Sequence, residues 1–288
     1  MEKHLNKLRH LVGFSIRDQK NLIVRVLTAF IGITAISYAI IYGGKTWIQW
    51  MAILGSAGAL AEYFEMIFPL NEHLYQRRVG WLIGIILVSV IIRHSLYLYE
   101  TMSLCLIVLF LFYLSLDYIF GGDQQQYLTD LSHSLFGIFY VGFLFSFWPK
   151  VCDLLHGKQW IFLIFIIPWF SDTAAYFVGK MIGKHKLAEA ISPKKTIEGA
   201  YAGVVASIIG VFLYKAFFFQ ELNFIDCILL GSAGSIISQM GDLFESFIKR
   251  AMSVKDSGVI IPGHGGILDR FDGVLFCSPF IYFYARCW

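Results

Sequence analysis

Between Ser246 and Asp272 the chain crowds Lys249, Arg250, Lys255, Asp256, His264, Asp269, Arg270 and Asp272 between two strongly apolar segments. Charge is costly beside hydrocarbon, so a cluster this dense needs a functional reason. Carboxylates are hard oxygen ligands suited to Mg²⁺, and lysine and arginine suit phosphate oxygens. Placed together they point to metal-assisted phosphoryl or nucleotidyl chemistry. No Ser-His-Asp arrangement or activated cysteine is evident. An already ionised phosphate needs neither as attacking group, and catalysis would then rest on positioning and charge neutralisation.

The residues around this cluster are spaced as helix faces. Ser235, Gln239, Asp242, Ser246 and Lys249 recur at alternating steps of four and three, one stripe of a helix, with Glu245 beside it. In a membrane such a stripe lines a cavity or meets a partner. Counted from Phe224 at 1.5 Å per residue, Asp242 stands roughly 27 Å along its helix, at phospholipid headgroup depth. Asp172, Tyr176, Gly179 and Gly183 also share a face, which aims the carboxylate into the bundle, while the glycines would equally serve close helix packing. Pro262, Gly263, Gly265 and Gly266 bracket His264 in a sharp loop whose backbone N–H groups suit phosphate oxygens. The histidine would bind substrate or lock the loop by a hydrogen bond. Asp269 and Asp272 open the next helix three residues apart, where N-capping and cation binding are compatible roles.

Composition dictates the elements that carry these residues. With 57% hydrophobic, 17% aromatic and 15% charged residues among 288, the chain reads as an all-α polytopic integral membrane protein. Crossing ~30 Å of hydrocarbon takes about 20 helical residues. Apolar segments near 22–42, 47–69, 79–93, 96–120, 133–150, 159–180, 198–219, 224–249 and 271–288 therefore predict about nine transmembrane helices. Only Arg93 and His94 separate the third from the fourth, so eight or ten spans also fit. Lys3, Lys7, Arg9, Arg17 and Lys20 before the first span, and Arg77 with Arg78 after the second, mark cytoplasmic segments. Nine spans bring the loop with Lys180, Lys184, Lys186, Lys194 and Lys195 to the same side as the loop with Lys249, Arg250, Lys255 and Arg270. The active site is thus expected at the cytoplasmic membrane interface. The segment 121–132, which has no basic residue, is expected as a loop on that side too.

No small-residue cleavage site follows the first span, so it is expected to remain as an anchor. The net charge of +3 is no nucleic-acid footprint. Cys105, Cys152, Cys227, Cys277 and Cys287 are scattered singly, as packing residues are. Residues 1–150 hold few intramembrane charges and read as a helical scaffold with dimer contacts. Residues 151–288 hold the chemistry, and the two regions read as one compact membrane domain.

From Ser246 through Lys249-Arg250, Lys255-Asp256, Gly258, Pro262, His264-Gly265-Gly266 and Asp269-Arg270 to Asp272, the chain resembles the phosphatidate cytidylyltransferase (CDP-diacylglycerol synthase) signature. Upstream, Ser171-Asp172, Ala175-Tyr176, Gly179-Lys180, Gly183-Lys184, Lys186, Ser192-Pro193-Lys194-Lys195-Thr196 and Glu198-Gly199 look like that family's second block. The resemblance covers about residues 168–272. It implies that CTP and phosphatidate give CDP-diacylglycerol and pyrophosphate, a phosphatidate oxygen attacking the α-phosphorus of CTP. Asp242 and Asp269 align with the family's metal-binding carboxylates, and Asp272 is a third candidate ligand. Mg²⁺ is the implied cofactor, and a second, monovalent ion such as K⁺ is compatible. Asp242, Asp269, Lys249 and Arg270 form the expected catalytic set. Arg250, Lys255, His264, Gly265, Gly266, Ser192, Lys194, Lys195, Asp172 and Tyr176 are the candidates for holding substrate, with positive-inside topology the alternative account of Lys194 and Lys195. A homodimer in a bacterial inner membrane completes what the resemblance and the absence of organelle-type targeting features imply.

Two other chemistries share parts of the pattern. A transporter whose Asp172, Asp242 and glycine-rich helices line an ion path accounts for the buried acids and leaves the lysine, His-Gly-Gly and Asp-Arg clusters unexplained. A CTP-dependent polyprenol or phytol kinase would pass the γ-phosphate to a lipid alcohol and release CDP.

Overall fold

The computed structural model describes residues 31–68, 74–93, 107–113, 123–261 and 265–288, together with Thr28, Leu104 and Ser115. The basic N-terminal residues, parts of the expected 22–42 and 96–120 spans, Cys105, and Pro262, Gly263 and His264 lie outside the described residues. The described chain is built on long helices: α1 (Gly44–Ile67), α2 (Leu74–Arg93), α3 (Gln124–Cys152), α4 (Gly157–Ile182), α5 (Ile197–Phe218), α6 (Phe224–Ala251) and α7 (Leu268–Cys287). Of these, α3, α4, α5 and α6 are long and apolar enough to cross a membrane. The protein is an integral membrane protein of the helical class. A small antiparallel hairpin, β1 (Lys186–Ala188) with β2 (Ser192–Thr196), joins α4 to α5.

Helix α3 begins nine residues earlier than the hydropathy pattern suggests, which converts most of the expected 121–132 loop into helix. Asp123 supplies the reason, since its carboxylate accepts the Gln125 N–H at 2.9 Å and caps the first turn. Tyr127, Leu131 and Leu135 then give the new turns an apolar face against the core. A π-helical turn at Ile138–Phe143 interrupts α3 and rotates the faces that follow.

Helices α4 to α7 run alternately up and down, joined by the β1–β2 hairpin and by segments 219–223 and 252–267. The last turns of α4 and α6 therefore meet the first turns of α5 and α7 at one end of the bundle. Helix α5 packs along α4 and α6, and α6 along α7. Lipid gives no hydrophobic drive for this packing, so small residues and buried hydrogen bonds hold it. Part of the polar stripe on α6 meets partners in this way. The Gln239 amide donates to Ala200 O at 3.1 Å and to Ser235 Oγ at 3.1 Å, and the Ser235 and Ser171 hydroxyls share a 2.8 Å hydrogen bond. Ser207 Oγ donates to Ile167 O at 2.9 Å, one residue before Pro168 in α4. At the opposite end Asp226 accepts from Tyr284 Oη at 2.7 Å and Trp288 Nε1 at 3.0 Å, which staples α6 to α7. A cavity of about 80 Å³ near Lys45 and Lys158 lies among α1, α3 and α4, and both lysines are engaged, by Asp153 and by Ile41 O.

Candidate active site

The α6–α7 crossing brings the acids together. A Cβ on Gly241 would stand 2.7 Å from Asp272 O and 2.9 Å from Phe276, so only a residue without one lets the two backbones approach this closely. Asp242 and Glu245, three residues apart on α6, consequently meet Asp272 on α7, and one oxygen from each lies within 4.8 Å of the others. Glu245 is fully buried, Asp272 is 8% exposed, and Glu245 Oε1 has no hydrogen-bond partner among the described residues. A buried carboxylate oxygen without a donor, beside two further hard oxygen ligands, suits a divalent cation such as Mg²⁺. Asp172 on α4 stands within electrostatic reach of Asp242, Lys195 and Arg270.

Lysines from two elements close around these acids. Lys195 on β2 pairs with Asp242 Oδ2 at 2.5 Å. Lys249, one turn beyond Glu245, donates to Glu245 Oε2 at 2.7 Å and to Asp269 Oδ1 at 2.6 Å. The other oxygen of Asp269 accepts the N–H groups of Ser257 and Gly266, both at 3.0 Å. Asp269 precedes the apolar stretch 271–288. Burial pushes its carboxyl pKa up, but the Lys249 hydrogen bond and the Gly266 amide outweigh burial and hold it below the ordinary carboxylate range. Arg250 donates to Ile191 O at 3.2 Å and Val254 O at 2.9 Å, tying the hairpin turn to the loop after α6.

Of the residues singled out in the sequence, Asp242 and Asp272 share one cluster. Asp269 stands behind it, joined through Lys249. Gly265, at a φ of +85°, pairs its carbonyl with Ile261 N at 2.9 Å and turns the loop back toward α7. Gly266 donates its amide to Asp269, so an N–H that would suit a phosphate oxygen serves one of the protein's own carboxylates. Ser192 is half-buried in β2, and Lys194 and Lys255 are exposed. Tyr176 is 61% exposed on α4, with Lys180 Nζ 5.8 Å from its ring centroid. His264 lies outside the described residues.

The structure adds three residues to the site. Glu245 completes the acid cluster, and its position three residues after Asp242 was the available signal. Tyr140, in the π-turn of α3, is buried among Phe136, Phe244 and Phe276. Its hydroxyl has no hydrogen-bond partner among the described residues and lies within electrostatic reach of Glu245, Asp272 and Asp242. Glu62 comes from α1, far from the site in sequence. It is 1% exposed and accepts Ile267 N and Leu268 N, both at 2.9 Å, and Ser257 Oγ at 3.2 Å. An acid inside the apolar segment 47–69 was the signal for it.

Residues 23–288 match the model of the cytidylyltransferase family. A protein of Bacillus subtilis (strain 168) named phosphatidate cytidylyltransferase is 33% identical over 263 residues, which cover 90% of this chain and 96% of the relative. A protein of the same name from Staphylococcus aureus (strain COL) is 42% identical over 171 residues, 59% of this chain and 64% of the relative. One from Staphylococcus epidermidis (strain ATCC 12228) is 38% identical over 169 residues, again 59% and 64%. The family match runs through every helix that contributes to the carboxylate cluster, and the chain belongs to the cytidylyltransferase family.

Proposed function

We propose that this membrane protein transfers CMP from CTP to phosphatidate, giving CDP-diacylglycerol and pyrophosphate. The observation that carries this reading is the meeting of Asp242, Glu245 and Asp272 beside Lys195 and Lys249, at one end of a bundle whose relatives are named phosphatidate cytidylyltransferase. An oxygen of the phosphatidate phosphate forms a bond to the α-phosphorus of CTP. The bond from that phosphorus to the oxygen bridging to the β-phosphate breaks, and its electron pair leaves with pyrophosphate.

Asp242, Glu245 and Asp272 would hold Mg²⁺, with Asp269 behind them and a second ion such as K⁺ compatible with so many carboxylates. When bound, the divalent ion neutralises charge on the triphosphate and on the departing pyrophosphate. Lys249 fixes Glu245 against Asp269, so both acids hold their spacing without help from solvent. Lys195 and Arg270 bring positive charge to the cluster from the hairpin and from α7, where developing phosphate charge needs it. Arg250, Lys194, Lys255, His264, Gly265 and Gly266 would hold the phosphates of the two substrates, and Ser192, Asp172 and Tyr176 would complete the substrate contacts on the α4 and hairpin side. Tyr176, Phe177 and Met181 are exposed along the last turns of α4, where acyl chains of a lipid substrate would lie. Nine spans, a site at the cytoplasmic interface of a bacterial inner membrane, and a homodimer complete the proposal.

Product analysis with α- and γ-labelled CTP tests it. The reading predicts α-label in lipid and γ-label in pyrophosphate. Label from the γ-position in lipid, with CDP released, would mean a lipid kinase. Gradient-driven cation flux in proteoliposomes without CTP turnover would mean a transporter.

A further inference from the structure

Two amides at the start of α7 and a hydroxyl from the loop before it point at one carboxylate that comes from the other half of the chain. Glu62 Oε1 accepts Ile267 N at 2.9 Å, and Oε2 accepts Leu268 N at 2.9 Å and Ser257 Oγ at 3.2 Å. The loop is shaped around this carboxylate. A Cβ on Gly258 would stand 2.6 Å from Glu62 Oε1, and one on Gly266 would stand 2.5 Å from Oε2. Both glycines and Ser257 belong to the segment that carries the site, whereas Glu62 sits in the last two turns of α1. No ion pair joins Glu62 to a cation among the described residues. The amides at the positive end of α7 stabilise its charge instead.

We infer that Glu62 is a positioning residue for the transfer reaction: it fixes the first turn of α7 and the loop residues Ser257, Gly258 and Gly266 in the register from which Asp269, Arg270 and Asp272 reach the site. Asp269 lies one residue past the amide of Leu268, and its own Oδ2 is held by Ser257 N and Gly266 N. Glu62 therefore grips both sides of the loop that grips Asp269. Loss of a group supporting a metal-site ligand in this indirect way lowers affinity or activity by about 10- to 100-fold. Glu65, one turn further along α1, is the matched control, since it is exposed and pairs with Arg77 at 2.9 Å away from this loop.

The inference rests on the cytidylyltransferase reading, and two readouts keep the two separable. The first is amide hydrogen exchange over residues 257–272 in detergent-solubilised full-length protein, which needs no turnover. Glu62→Gln keeps the side-chain volume and replaces one acceptor oxygen with a donor that faces backbone N–H groups. Exchange in that segment is expected to rise by at least about tenfold, while α4 and α5 stay at wild-type protection. The second readout is steady-state kinetics with CTP and phosphatidate. Here kcat is expected to fall about 10- to 100-fold and KM for phosphatidate to change less than threefold, with Glu65→Gln at wild-type values. Ser257→Ala serves if Glu62→Gln does not fold. It removes one of the three contacts and should raise exchange at Ile267 and Leu268, with a smaller fall in kcat. Wild-type exchange and wild-type kcat in folded Glu62→Gln would overturn the inference, as would an equal fall in Glu65→Gln. An inactive wild-type protein would sink the functional reading and leave the exchange experiment to decide the role of Glu62.

Discussion

Glu245 and Asp269 each give one oxygen to Lys249, and the rest of the acid cluster is arranged around that bridge. Removing one partner of a buried ion pair leaves the other charge uncompensated, at a cost of about 3–5 kcal/mol. Lys249→Met should therefore lower the unfolding temperature in detergent as well as turnover, which a lysine acting only on substrate would not do. Glu245→Gln keeps the volume and one hydrogen bond to Lys249. It should fold normally, raise the Mg²⁺ concentration needed for half-maximal rate, and cut kcat by about 100-fold. Near-normal turnover and Mg²⁺ dependence in that variant would remove Glu245 from the site. Asp242 was legible because a carboxylate on a regular helical stripe is costly in lipid. The bridge from Lys249 to Asp269 was not, because it crosses an irregular loop in which no periodicity links residue 249 to residue 269.

Among the elements, the close crossing of α6 and α7 decides whether the acids meet at all. Gly241→Val would drive a branched side chain into Asp272 O and Phe276 and force the helices apart. We expect at least a 100-fold loss of activity with a smaller loss of stability, about 1–3 kcal/mol, measured by rates and thermal unfolding on the same preparation. Wild-type rates would mean that the acid cluster is not formed by this crossing. Of the four helices long and apolar enough to cross a membrane, α4, α5 and α6 were readable from hydropathy, since they lie where their apolar segments do. The start of α3 was hidden by its polar first turn, where Asp123 caps a helix that the 19-residue hydropathy scale sees as loop. The β1–β2 hairpin was also hidden, because its pairing serves two short lysine-rich segments without alternating hydrophobicity.

At the scale of the whole molecule, the residues of the site come from α3, α4, the hairpin, α6 and α7, and α1 is joined to them through Glu62. Division of the chain by charge content alone separates residues 1–150 from the chemistry, yet the buried acid of α1 reaches the loop that holds Asp269. A contact across about 200 residues leaves no local pattern in the sequence, so only an intramembrane acid hints at it. The proposed topology puts the hairpin and the loop after α6 on one membrane face. Lys194→Cys and Lys255→Cys should both react with a membrane-impermeant maleimide in inverted inner-membrane vesicles and resist it in intact spheroplasts. Opposite accessibility of the two positions would break the proposed arrangement.

The central claim is that the cluster of Asp242, Glu245 and Asp272 transfers CMP from CTP to phosphatidate. Its most direct test is the conversion of α-labelled CTP by purified protein in phosphatidate-containing micelles with Mg²⁺, with Asp242→Asn in parallel. The account predicts label in a CDP-lipid, one pyrophosphate released for each lipid labelled, and a rate lowered by orders of magnitude in a folded Asp242→Asn protein. An unchanged rate in that variant, or labelled CDP in place of labelled lipid, would contradict it.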